Sequence, residues 1–197
     1  MVTDEERAWL TTEMARLIER AGLDSYVATP LVEATDRYFP DEWHPDDGGV
    51  ARLAKRVFAH AGLHDVTITA ELGDSDAKRG ITPTSLAREA LHLVVDPAWL
   101  TDPLTAVAQL VHLAAIVFRV QRDLDEADSE LERRLIDLTT VYLGFGIVMT
   151  NAAYRYRASG ELQGNMAITR WSHDEQGTLP ASTMAYALAM QLVARGA

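Results

Sequence analysis

The sequence predicts a mainly helical α+β fold with a small sheet, and three observations carry that prediction. Apolar residues recur at helical spacing in several long segments, two short stretches carry strand patterning between them, and the composition of 48% apolar and 24% charged residues is that of an ordinary globular chain. The 197 residues are read as one domain, 1–197, whose N-terminal helical part covers about residues 1–62.

Thr3 and Glu6 form a capping-box signal, after which Leu10, Met14, Leu17, Ile18 and Ala21 repeat on one helical face until Gly22. The pattern weakens afterwards, although Tyr26 to Tyr38 allows another helix, and Phe39 to Pro45 reads as a loop. Val50, Leu53, Val57, Phe58 and Ala61 define the next helix, capped by Asp46 or Asp47 and ended by Gly62. Val66, Ile68, Ala70 and Leu72 alternate with polar residues as in a strand with one buried face. Gly73 to Pro83 reads as a polar loop, and Leu91 to Val95 as a second strand that pairs with the first.

Asp102 as N-cap and Pro103 in the first turn open a helix that is apolar on nearly every side through Phe118. The charged stretch from Arg119 to Arg134 reads as a solvated connection and helix start. A mostly apolar helix follows from about Leu131 to Ala153, with Gly144 and Gly146 permitting a bend or a close neighbour. Pro180 opens a last helix with a predicted buried stripe of Met184, Ala185, Leu188, Ala189, Leu192 and Val193, closed by Gly196.

Composition narrows the function classes. The formal net charge of -11, without a basic stripe, argues against nucleic acid as partner. Zero cysteines remove disulfides, thiolate metal sites and thiol nucleophiles. The acidic start lacks an export pattern, so the expectation is a cytoplasmic protein. The apolar stretches 104–120 and 138–153 are interrupted by polar residues and read as core helices rather than membrane spans.

The informative residues are polar ones on these apolar helices. Thr105, Gln109 and His112 share a face of the first long helix, and Asp137 lies between Ile136 and Leu138 on the next. A buried carboxylate needs a partner; His112 is the natural one, with Arg133 as competitor. For His112 and Asp137 the plain reading is a satisfied pair tying two helices, and the sharper one a general acid/base dyad. For Arg133 the plain reading is an i,i+4 ion pair with Asp137, the sharper one a contact for an anionic ligand.

Other polar groups carry less. His60 and His64 have metal-like spacing but flank Gly62, and the acidic loop Asp41 to Asp47 lacks an EF-hand pattern. Adjacent Ser172, His173 and Asp174 do not make a triad. The four tryptophans, Trp9, Trp43, Trp99 and Trp171, read as packing residues.

Several segments resemble a bacterial family of zincin-like, gluzincin-type metallopeptidase proteins. They are Phe39-Pro40-Asp41, Val94-Val95-Asp96-Pro97, Asp102-Pro103-Leu104, Leu135 to Ile147, Asn151 and Ala185 to Ala189. The family carries, in the same order, an FPD segment, an Asp-Pro after a strand, an AHELxH helix, a second helix of the type ExLTDLLTVFLGLGIFxAN and a GYALAL helix. The order holds from about Tyr38 to the end, and the second-helix match is the most specific.

This resemblance implies a zincin-like core of two long buried helices beside a small sheet. In such sites two histidines one turn apart hold zinc, a Glu activates its water, and a carboxylate from the next helix completes the shell. An Asp four residues later orients the first histidine. His112 matches the first histidine and Asp137 that orienting Asp. Leu113 stands at the general base, Ile116 at the second histidine and Arg133 at the third ligand. A degenerate HExxH site with no metal and no cofactor is the expectation.

The implied function is an inactive metallopeptidase homologue, a pseudoenzyme that binds a protein or small-molecule ligand through a cleft at Thr105, Gln109, His112 and Arg133. The alternative is a metal-independent enzyme using His112 and Asp137 for acid/base chemistry. Self-association as a homo-oligomer is a third reading.

Overall fold

The computed structural model describes residues 2–73, 81–86, 89–97, 100, 102–153, 156–163, 166–173 and 177–196. The chain is mainly helical α+β. Helix α1 spans Asp4–Ala21; Thr3 caps it by accepting from the Glu6 N–H at 3.2 Å. The Glu6 carboxylate instead takes the Thr183 hydroxyl at 2.8 Å, so one half of the capping box is spent on a tertiary contact. The helix allowed from Tyr26 to Tyr38 does not form beyond Ala28; the chain instead has the short α2, Leu23–Ala28. Pro30 supplies no N–H and disfavours helix at Thr29, whose backbone is extended. Helix α3 spans Asp47–His60, and of the two expected caps Asp46 is the one used, at 2.6 Å from the Gly49 N–H.

Strands β1 (Thr67–Leu72), β2 (Ile81–Leu86) and β3 (Ala90–Val95) form a sheet in the order β1-β3-β2. The expected pairing of the first and last is present and parallel, while β2 runs antiparallel to β3. The stretch read as a loop to Pro83 therefore already contains the start of β2. Its Pro83 was misleading because the sheet tolerates it on an edge strand, next to a register shift between Pro83 and Ser85. Ile68 is buried as the alternation required, but Leu72 is exposed because β1 is the opposite edge.

Helix α4, Pro103–Gln121, begins at the Asp102–Pro103 signal and is central, with most of its residues buried. It is long and apolar enough to cross a membrane by length and composition, and 72% of its most apolar window is packed inside the protein. The helix expected over 131–153 is two: α5, Ser129–Tyr142, and α6, Gly146–Ala152. The break follows from Gly144, whose φ of +87° turns the chain and where a Cβ would lie 2.2 Å from the Pro30 carbonyl oxygen. Gly146 then lets Leu188 approach.

The antiparallel hairpin of β4 (Tyr156–Gln163) and β5 (Met166–His173) has no counterpart among the elements read from the sequence. Gly164-Asn165 between the two runs was its available signal. Charged residues at Arg157, Glu161 and Arg170 hid the alternation.

Helix α7, Ala181–Ala194, buries a face rotated from the expected stripe: Met184 is buried as expected and Leu188 and Leu192 are half-buried, but Thr183, Ala187 and Gln191 also face inward, while Ala185, Ala189 and Val193 are exposed. Bonding decides this rotation. Thr183 donates to Glu6 on α1, and the Gln191 amide donates to the Val141 carbonyl at 2.6 Å, satisfying an acceptor at the end of α5.

Stacked Tyr26 and Tyr142, 5.6 Å apart, join α2 to α5, and the Tyr142 hydroxyl donates to the Gly22 carbonyl at 2.8 Å. Burial raises both phenols above their ordinary value of 10, opposed at Tyr26 by the nearby Arg195 charge and at Tyr142 by Ser25 and Arg122. A raised folded-state value means that below about pH 10 both states are protonated and the contribution is complete; above it the unfolded chain ionises first. Urea midpoints are therefore expected to fall as pH rises through and beyond about 10, less steeply in Tyr142→Phe. A midpoint flat across that range in both proteins would contradict the assignment.

Candidate functional site

The site is built where α4 crosses α5. Asp102 uses both carboxylate oxygens at the start of α4, accepting from the Leu104 N–H at 3.1 Å and the Thr105 hydroxyl at 2.8 Å. Thr105 is thus part of the helix cap. One turn on, Gln109 is buried and its Oε1 has no hydrogen-bond partner among the described residues. A further turn on, His112 is about one-third exposed, its Nδ1 3.5 Å from Asp137 Oδ1.

Asp137 is 1% exposed. Its Oδ2 accepts from the backbone N–H groups of Thr178 at 2.5 Å and Leu179 at 2.8 Å. Oδ1 has only the 3.5 Å approach of His112, which makes no hydrogen bond. The carboxylate therefore holds the segment that leads into α7. Gly177 is required there twice over: its φ is +97°, and a Cβ would lie 2.8 Å from Asp137 Oδ1. Sequence reasoning missed these three residues, although a glycine three positions before Pro180 is a signal for such a turn.

The sequence-derived pair of His112 and Asp137 is thus brought together, whereas Arg133 is not part of it. The guanidinium of Arg133 pairs with Glu130 on the previous turn and is exposed. The expected Arg133–Asp137 ion pair is absent because Asp137 points into the core toward Thr178 while Arg133 points outward.

Among the described residues the buried cation is another one. Arg119, read as the start of a solvated connection, is the last-turn residue of α4 and 3% exposed. It donates to Glu132 through Nε at 2.8 Å and Nη2 at 2.6 Å, and to the Leu124 carbonyl at 2.6 Å. This fork-to-fork pair fixes α4 to α5. Glu132 also accepts from the Glu126 N–H at 2.9 Å. An arginine ending a long apolar run was the sequence signal for it.

The donor set does not fit the zinc centre that the resemblance implies. Leu113 is in the core, Ile116 packs against it, and Arg133 brings a positive charge. Among the described residues no three of His, Cys, Asp and Glu converge in a way that could hold a metal ion.

Away from this crossing, His60 bonds the Tyr38 carbonyl through Nε2 at 3.0 Å and packs edge-on to Tyr38 and Phe39, while His64 is exposed. Trp43 donates to the Leu100 carbonyl at 3.2 Å, and Trp9 lies under Arg134, as packing residues do. Trp99, Asp174 and the side chains of Trp171, Ser172 and His173 lie outside the described residues.

Compared with protein-family models, with curated proteins and with solved structures, the chain matches none.

Proposed function

We propose that the chain is a metal-free, non-hydrolytic relative of zincin-type metallopeptidases that binds a protein or small ligand at the α4–α5 crossing around His112. The observation that carries this reading is the use of Asp137. The carboxylate that the resemblance assigns to orienting a zinc-bound histidine still faces His112, yet it holds the Thr178 and Leu179 amides, and the ligand positions carry Leu113, Ile116 and Arg133. What is left at the surface is one imidazole beside a buried carboxylate. Such a group recognises hydrogen-bonding partners without requiring a metal.

A metal-independent acid/base enzyme is the second reading, favoured by the partial exposure of His112. Closing the 3.5 Å gap to a hydrogen bond would let Asp137 fix the tautomer at Nδ1 and leave Nε2 to exchange a proton with substrate.

Protein purified without chelator is expected to contain far less than one zinc per chain and to leave a mixed peptide library uncleaved. In a small-molecule fragment screen, hits are expected to shift the His112 ring resonances and to be lost in His112→Ala, which should stay folded. One tightly held zinc per chain that depends on His112, or peptide cleavage abolished by His112→Ala, would overturn the proposal. Turnover of a fragment that disappears in the same folded variant would favour the enzyme instead.

A further inference from the structure

We infer that the edge of β1, which no strand among the described residues covers, is a docking site for an extended peptide segment whose residues alternate between apolar and basic. Thr67 donates its N–H to the Glu89 carbonyl at 2.8 Å and Gly73 to the Val95 carbonyl at 3.1 Å. In a parallel ladder this phase turns the backbone groups of Thr67, Thr69 and Glu71 toward β3. Those of Ile68, Ala70 and Leu72 then point away from the sheet. On that side the Leu72 N–H is held by the Asp47 carboxylate at 3.2 Å. Among the described residues the N–H and carbonyl of Ala70 have no partner there, and β1 ends the sheet. An unpaired row of this kind is a template for an added strand.

The side chains along the edge select the occupant. On the inner face Ala70 is half-buried and Leu72 is 38% exposed, so a strand added here would extend the apolar face with its own apolar residues. On the outer face Glu71 is exposed, with His92 of β3 3.5 Å from its carboxylate on the side away from the edge, and Asp47 sits at the end of the edge. Basic residues on alternate positions of the incoming strand meet these charges. A second copy of the chain is the wrong occupant, because it would set Glu71 and Asp47 against their own kind on a protein of net charge -11. Holding of the Leu72 N–H by Asp47 limits the pairing to a few residues, which suits a short linear segment.

The test uses the full chain and an acetylated, amidated peptide of three Lys-Val repeats, with a Glu-Val peptide and a backbone N-methylated Lys-Val peptide as controls. The Lys-Val peptide should bind, slow hydrogen exchange at the Ala70 amide, and bind at least tenfold more tightly than either control. Ala70→Pro removes the outward N–H and places a ring on the edge; it should weaken binding at least tenfold. Glu71→Lys should weaken the Lys-Val peptide and strengthen the Glu-Val one. No binding, or binding with Ala70 exchange unchanged, overturns the inference. Equal affinity for the N-methylated peptide does the same even if Ala70→Pro fails to fold. A concentration-dependent dimer that Ala70→Pro abolishes would name the second copy as occupant and refute the choice made here.

Discussion

Asp137→Ala is expected to lower the unfolding free energy by about 3–5 kcal/mol, the range for removing one partner from a buried charged arrangement. The carboxylate is sealed from solvent and accepts two backbone N–H groups, each bond to a charged acceptor being worth about 1.5–3 kcal/mol. Its removal leaves the Thr178 and Leu179 amides without their acceptor and His112 without its carboxylate. Relief of the cost of burying the charge keeps the total below the sum of the parts. Asp137→Asn retains an oxygen that can accept both bonds and is expected to lose about half as much. Urea unfolding measures the global loss, and hydrogen exchange locates it: the Thr178 and Leu179 amides should lose protection first. A fully stable Asp137→Ala protein with those amides still protected would show that the carboxylate is incidental to the clasp.

A comparable loss, about 3–5 kcal/mol, is expected for Arg119→Met. The substitution fills much of the volume but leaves Glu132, whose side chain is 18% exposed, without its cation in the join between α4 and α5. The Leu124 carbonyl also loses its donor. Replacing Glu132 with Met as well removes the stranded charge, and the double variant should recover a large part of the loss, because well-packed apolar substitutes for a buried ion pair are often neutral. A double-mutant cycle in urea checks this. Additive losses would mean that the two side chains are not coupled.

Local signals in the sequence sufficed wherever neighbouring residues complete the interaction. Thr3 before α1, Asp102–Pro103 before α4 and Asp46 before α3 act within their own first turns. The pairing of β1 with β3 was readable because the alternation of the first and the short, partly β-branched apolar run of the second are both strand signals. The facing of His112 and Asp137 was readable because a carboxylate flanked by Ile136 and Leu138 has few partners to choose from.

Elsewhere the deciding interaction is distant. Arg119 looked like part of a charged connection until its acceptor, thirteen residues on, pulled it inward. Arg133 looked equally suited to Asp137 but follows Glu130 into solvent. The rotation of α7 could not be read from a helix apolar on most sides. Its two buried polar residues, Thr183 and Gln191, choose the face by bonding α1 and the end of α5.

By itself the sequence determined a mainly helical α+β chain, most helix starts, the principal strand pair and the proximity of His112 to Asp137. These depend on periodicity and on caps that span three or four residues. Only the tertiary structure decided what Asp137 does with its second oxygen, which arginine is buried and which face of α7 turns inward. In each case several partners compete, and the energy separating them lies in burial and in bonds between residues far apart in the chain.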